Sequence, residues 1–528
     1  MSRPGIDRVF ERRLSALLNG GQPQILQGGR KGVEKESLRV RPDGILATTP
    51  HPRELGSALT NVHITTDFSE SLIELVTPAF TQSWELLQYL LDLHQFVYRH
   101  LDDELLWATS MPCAIKRDED IPIAQFGKSH VGTMKTVYRR GLSLRYGRMM
   151  QAISGVHFNY SFPLPFWEMY ADIREARERG QDFISASYFD LLRNYRRFGW
   201  IVLYLFGVSP VVCKSFLKGR TADLADFTNN TLYAPYATSL RMSDVGYRNR
   251  NQSGMAVSVN SLDEYIRDLS HAISTVHPPY EALGLKDAQG EYQQVNTNIL
   301  QIENEYYSFI RPKRVARSGE RPTKALRRAG VEYVEVRALD VSAFDPVGVN
   351  QNKVRFLEAF LALCLMKDSP PIGGAEQDLL DQNHITVARR GREPGLMLSR
   401  EGRSVPMQLW ARELLDEMTG ICEVLDRGDT SRPYSQALAV QAAKLTNVEL
   451  TPSARLMEEL TTTGEPFFDL ALRMSKAHKD YFLDLYPPNE ERLAEFASQA
   501  QESLAKQRSI ETSDKGSYEA YVQRYFAS

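Results

Sequence analysis

Alternation of apolar and polar residues marks five strand candidates before about residue 370: Val33–Arg41, Ser71–Thr77, Ile153–Phe162, Thr297–Tyr306 and Val331–Leu339. Pro42-Asp43-Gly44 is a turn signal that folds the first of them back into Ile45-Leu46. Apolar positions at helical spacing fill Trp84–Leu101 and Ile184–Leu205, and the first twenty residues read as a short amphipathic helix. Beyond about residue 370 the pattern becomes nearly all helical and charged, as in Met407–Leu425 and Glu490–Lys506. We therefore expect an α+β part over 1–370 and a mainly helical region, 371–528, packed on it. The strands do not arrive as regular βαβ units, and no GxGxxG follows any of them. That pattern argues for a largely antiparallel sheet.

The polar faces of these strands carry the chemistry. Side chains two apart share a face, so Glu34 and Glu36 lie together with Leu38 and Val40, while Lys35, Ser37, Arg39 and Arg41 take the other side. The Cα atoms of these two acids would sit about 6.7 Å apart, and at an effective dielectric of about 20 that spacing costs on the order of 2–3 kcal/mol of repulsion. A divalent cation would remove that cost. Glu74 sits in the apolar run Leu72–Val76, seven residues after Asp67, and Glu335 repeats the pattern in Val331–Arg337. Any one of these acids can be satisfied by an arginine such as Arg39 or Arg337. Three strands showing the same feature point instead to shared metal. In Ile153–Phe162 one face reads Gly155, His157, Asn159, Ser161, and a structural hydrogen bond is the role expected of His157.

Oxygen ligands without a His/Cys cluster suit Mg²⁺ or Mn²⁺ rather than zinc. Such ions usually hold substrate phosphates as well, so the residues alone reach as far as magnesium-dependent phosphate chemistry on a sheet. The basic run Ile310–Arg314, just past Gln301-Ile302-Glu303-Asn304-Glu305, could contact phosphates or form a solvated turn. Arg241, among the tyrosines of Leu232–Tyr247, suits a bidentate grip on a carboxylate or a surface loop. Gly28-Gly29-Arg30-Lys31-Gly32 lacks the GxxxxGK[ST] spacing and leads into a strand, so it reads as a turn.

Composition narrows the partners. With 63 Lys+Arg against 66 Asp+Glu, the net charge of −3 offers no nucleic-acid surface or polybasic membrane patch. No apolar run is long enough for a signal peptide or a bilayer span, the longest being Trp200–Phe206. Cys113, Cys213, Cys364 and Cys422 form no CxxC pair, and four reduced thiols in a cytoplasmic protein are expected.

Several runs taken together resemble the glutamate–cysteine ligase family of proteobacteria. They are Gly32–Val40, Ile64–Phe68, Ser110–Cys113, Met150–His157, Pro235–Arg241, Gln301–Glu305, Ile310–Arg314 and Glu332–Arg337, in family order over roughly residues 25–350. The resemblance implies an antiparallel sheet curved into a funnel, like the catalytic domain of glutamine synthetase. It also implies a reaction: ATP phosphorylates the γ-carboxylate of L-glutamate, and the amine of L-cysteine attacks the γ-glutamyl phosphate, in the first step of glutathione synthesis. By the same resemblance, Glu34, Glu36, Asp67, Glu74 and Glu335 are the metal-binding acids. Gln151, Ile153, Asn159 and Arg241 form the wall around the γ-glutamyl group, and Tyr138, Tyr247 and Tyr307 bind cysteine. Arg311, Lys313 and Arg337 face the phosphates of ATP, and Glu34, Glu335 and Arg337 are assigned to catalysis. A monomer without nucleic-acid or membrane partners is expected. Lys35 departs from the arginine common in the family, on the strand face away from the acids. Two rival readings remain at this stage, a same-fold ligase for another amine and a non-catalytic metal- or nucleotide-binding relative.

Overall fold

A computed structural model describes residues 8–20, 22–217, 222–246, 255–317, 319–485 and 487–527. Its centre is an open antiparallel sheet. The strands are β1 (Arg30–Val40), β2 (Ile64–Thr66), β3 (Leu72–Val76), β4 (Leu105–Leu106), β5 (Gly155–Ser161), β9 (Ile310–Lys313) and β10 (Tyr333–Asp340), in the order β2-β3-β1-β5-β10-β9 with β4 beside β1. A second sheet joins β6 (Val211–Cys213), β7 (Ala225–Thr228) and β8 (Thr231–Tyr233), and β11 (Met397–Arg400) pairs with β12 (Arg403–Pro406). The expected turn after β1 forms, closed by Arg41 N donating to the Ile45 carbonyl.

Alternation divides the main sheet into two unlike faces. Val33, Ile73, Leu75, Val156, Phe158, Tyr160, Val334 and Val336 enter one large core together with residues of the helices Ser83–Tyr98, Gln181–Phe198 and Gln351–Met366. The same cluster continues through Trp410, Leu438, Phe482 and Phe496, so helices from beyond residue 370 complete it. Leu38 and Val40, at the far end of β1, belong to a second cluster with Ile153, Val211 and Leu470. The face of β1 that carries Lys35 is buried against helices rather than solvated. Lys35 Nζ donates to His94 Nε2 at 2.9 Å, and burial lowers its pKa to about 7.

Four strand expectations correspond to β1, β3, β5 and β10; the fifth does not. Thr297–Tyr306 forms no strand, only a 3₁₀ turn at Glu303–Glu305. Its side chains bond the main chain instead, Asn298 Nδ2 donating to the Ile273 carbonyl and Gln301 Nε2 to that of Tyr138. With its amides committed to the main chain of other segments, the run presents no free alternating face to a β-ladder. The basic run Ile310–Lys313, open to a turn reading, is strand β9. The long helix expected over Ile184–Leu205 is two helices, Gln181–Phe198 and Trp200–Phe206, meeting at Gly199.

The thiols also depart from expectation. Cys113 and Cys213 form a disulfide across a sequence separation of 100, leaving Cys364 and Cys422 buried and free. Burial raises the Cys422 thiol to about 12, which makes it a poor nucleophile. A cross-link spanning so long a loop restricts the unfolded chain. Reduction, or Cys113→Ser, should lower the unfolding free energy in urea by about 3–5 kcal/mol. No helix among the described residues is long and apolar enough to cross a membrane.

Candidate active site

Strand register assembles the polar face. Thr65, Glu74 and Glu36 stand directly opposite one another on β2, β3 and β1. Glu34 faces His157 on β5. Gly32, Asn159, Glu335 and Arg311 form a further row across β1, β5, β10 and β9. Directly opposed residues share a face with their side chains about 5 Å apart, so acids from distant stretches of chain converge without any loop rearrangement.

The contacts follow from those rows. Glu34 Oε2 lies 3.0 Å from His157 Nδ1, and its Oε1 accepts from Asn159 Nδ2 at 2.8 Å. Glu36 Oε2 accepts from the backbone N–H of Gly155 at 2.7 Å. Glu335 Oε1 is 3.2 Å from Arg337 Nη1, 3.4 Å from Lys313 Nζ and 3.7 Å from His157 Nδ1. Glu335 Oε2 is buried and has no hydrogen-bond partner among the described residues, nor has Asn159 Oδ1. An orphaned carboxylate oxygen inside a protein is costly unless something binds there. Glu34, Glu74 and His157 each offer a ligand atom within 4.8 Å of the others.

Charge separates the acids into two kinds. Burial, then repulsion from Glu34, Asp67 and Glu36, pushes the Glu74 carboxyl well above its ordinary range. Glu36 is raised too, mainly by burial, with His157 opposing. Burial also works to raise Glu335, but Lys313, Arg337, His157 and Arg311 together hold it well below. Glu34 is likewise lowered, its burial outweighed chiefly by the hydrogen bond to His157. One end of the site thus crowds carboxylates that repel one another, and the other is rich in cations.

Glu36, Asp67, Tyr138, Gln151, Tyr307, Arg311 and Arg337 line a cleft of about 120 Å³. Two roomier clefts, of about 830 and 750 Å³, lie away from the acids, one beside Arg41 and His100 and the other behind Tyr307. Of the remaining residues singled out in the sequence, Ile153 is wholly buried in the second core, so it would meet a substrate through its main chain. Arg241 is 2% exposed; it donates to the Arg337 carbonyl at 3.2 Å and lies 3.8 Å from Asp340 Oδ1. Its guanidinium lies across Gly155, where a Cβ would come within 2.0 Å of Nη2. Tyr247 lies outside the described residues.

Residues 14–387 match the glutamate–cysteine ligase family model. The chain belongs to the glutamate–cysteine ligase family. It is 48% identical over 523 residues to the glutamate–cysteine ligase of Alcanivorax borkumensis, covering 98% of this chain and 99% of that one. The Pseudomonas aeruginosa ligase is 46% identical over 520 residues, 98% of each. The crystal structure of the Francisella tularensis glutamate–cysteine ligase in complex with AMP has a TM-score of 0.88 and 38% identity, over 95% of this chain and 98% of that one.

His157 makes the hydrogen bond expected of it, to Glu34, and also offers a ligand atom beside Glu34 and Glu74. Two residues that line the cleft, Arg139 and Glu305, carry no role in the sequence analysis. Arg139 lines the cleft and donates from Nε to the Asp67 carbonyl. Glu305 also lines it, in a run of acids that gave no sign of which one mattered. The signal for Arg139 was its place beside Tyr138 on the helix His130–Tyr146.

Proposed function

We propose that this chain joins the γ-carboxylate of L-glutamate to the amine of L-cysteine at the expense of ATP, through a γ-glutamyl phosphate. The observation that carries this reading is the convergence of five carboxylates beside a cationic row, with Glu335 Oε2 buried and unpartnered. The names of the full-length relatives and the AMP held by the Francisella enzyme support it.

The donor set fits a hard divalent cation, magnesium or manganese, held by Glu34, Glu36, Asp67, Glu74 and Glu335, with His157 available to complete it. Bound there, such an ion would neutralise phosphate charge during transfer. Lys313 and Arg311 on β9 and Arg337 on β10 surround Glu335 and would hold the ATP phosphates. Arg241, Gln151, Asn159 and the main chain at Ile153 would fix the glutamate. Tyr138 and Tyr307 would receive the cysteine, with Tyr247 as the third aromatic. Phosphorylation turns a poor acceptor into one with a phosphate leaving group, and orienting the amine against it supplies much of the remaining rate. The reading requires no second copy of the chain. Its dependence on ATP favours the cytoplasm, where cellular thiols would act on Cys113–Cys213.

The test is a coupled ADP assay on the purified chain. ADP should form only with magnesium, glutamate and cysteine all present; release independent of either amino acid would end the proposal. A second check is local. Gly155→Ala places a methyl group where Arg241 lies, so kcat/KM for glutamate should fall by about 100-fold, the loss typical of a site displaced by about an ångström.

A further inference from the structure

The run Gln301–Glu305 has no part in the chemistry above, yet its last residue is a buried carboxylate beside the cleft. Glu305 and Arg145 form an ion pair at 3.0 Å with both side chains fully buried. Glu305 Oε1 also accepts from the Tyr146 hydroxyl at 2.6 Å, and Oε2 accepts from the Gln301 backbone N–H at 2.6 Å. Arg145 in turn donates to Gln294 Oε1 from Nε and Nη2, at 3.1 and 2.9 Å, and to the Asn296 carbonyl at 2.8 Å. Its guanidinium lies over the Tyr280 ring, 4.1 Å from the centroid.

A second tie runs parallel to the first. Gln301 Nε2 donates to the Tyr138 carbonyl at 3.1 Å, while Gln301 Oε1 accepts from Val295 N–H at 3.0 Å. Gly141 makes room for this, since a Cβ there would lie 2.1 Å from Gln301 Oε1. The helix His130–Tyr146 is therefore fastened to residues 294–307 at two levels. Tyr138 enters the cleft from the helix and Tyr307 from the segment facing it.

We propose that Glu305 is a positioning residue of the amine-acceptor pocket: through Arg145, Tyr146 and Gln301 it sets the separation of Tyr138 and Tyr307, and so the fit of a small amino acid with a short side chain. The proposal rests on the function given above. A buried ion pair is a weak source of stability, because desolvation offsets its attraction. Holding two walls at one spacing is something it does well, and such spacing governs reaction rate and selectivity.

The full-length Glu305→Gln variant, nearly equal in shape, tests this in steady-state assays with cysteine and 2-aminobutyrate as acceptors. KM for cysteine should rise about tenfold and the preference for cysteine over 2-aminobutyrate should fall by a similar factor, while KM for glutamate and ATP stay within about twofold and kcat within about threefold. Tyr146→Phe should shift the same constants less, and the double variant should be no worse than Glu305→Gln, since both break one tie. An unchanged KM for cysteine would overturn the proposal, as would equal losses for all three substrates or a fall confined to kcat. If circular dichroism shows Glu305→Gln unfolded, Tyr146→Phe and Gln301→Ala carry the same comparison. Wild-type protein that makes no ADP with either amine would sink the function itself, whereas an active wild type with an unaffected variant would sink only the role of Glu305.

Discussion

Glu335→Gln is expected to reduce kcat by about 10³-fold, a loss of the size seen when a preorganised transition-state contact is removed. Glutamine keeps the volume and one oxygen, so packing around β10 should survive. What it loses is a charge that the fold has gone to some length to preserve: Lys313, Arg337, His157 and Arg311 hold the carboxylate ionised despite its burial. The variant should also lose stability, by about 1–2 kcal/mol, because these cations remain with one anion fewer, and their partial exposure limits the cost. The sign with pH follows from the depressed pKa. Its contribution is present above the unfolded carboxyl value and is lost as pH falls through the lower folded value. Urea unfolding should therefore show the gap between wild type and variant near neutrality and its closure in acid. Retention of more than a tenth of wild-type kcat would remove Glu335 from the metal and phosphate chemistry.

Glu74→Gln should do the reverse to stability while also stopping turnover. Glu74 is directly opposite Glu36 and is repelled by Glu34 and Asp67. Replacing it relieves like-charge repulsion worth about 1 kcal/mol for a half-buried group. Because its folded pKa is raised, its favourable contribution exists below the unfolded value and disappears as pH rises through the folded one. The metal-free variant should thus unfold at a higher temperature than wild type at pH 8, with little difference at pH 4. Magnesium should reverse the ranking. A ligand at about 100 times its Kd stabilises by about 2.7 kcal/mol, and wild type should gain most of that while the variant gains less. Magnesium stabilising both proteins equally, or a metal-free variant weaker than wild type at pH 8, would show that Glu74 belongs to some other arrangement.

These opposite outcomes come from residues of one chemical type in similar apolar runs. From sequence, Glu74 and Glu335 looked alike, each a lone acid in the middle of a strand. Their difference lies chiefly in neighbours contributed by other strands: carboxylates on β1 for Glu74, and the cations of β9, beside Arg337 of its own strand, for Glu335. The disulfide was hidden for the same reason, since nothing in the residues around Cys113 refers to a partner 100 positions away. At Thr297–Tyr306 amide side chains that bond the main chain of other segments were counted as the polar half of an alternating strand.

What the chain determines by itself is therefore the side of each strand on which its acids lie, the turn after β1, the helical character of the tail and, through its ordered runs, its family. Period-two geometry and turn chemistry need only neighbours in sequence. Which strands adjoin, and in what register, was decided by tertiary structure, because backbone ladders can form between many segments and only burial of one whole face selects among them. That selection put Glu36 across from Glu74, Glu34 across from His157 and Glu335 beside Arg311. The charge state of each acid followed from those placements, since electrostatic energy depends on separation and burial, neither of which is written in any single stretch of residues.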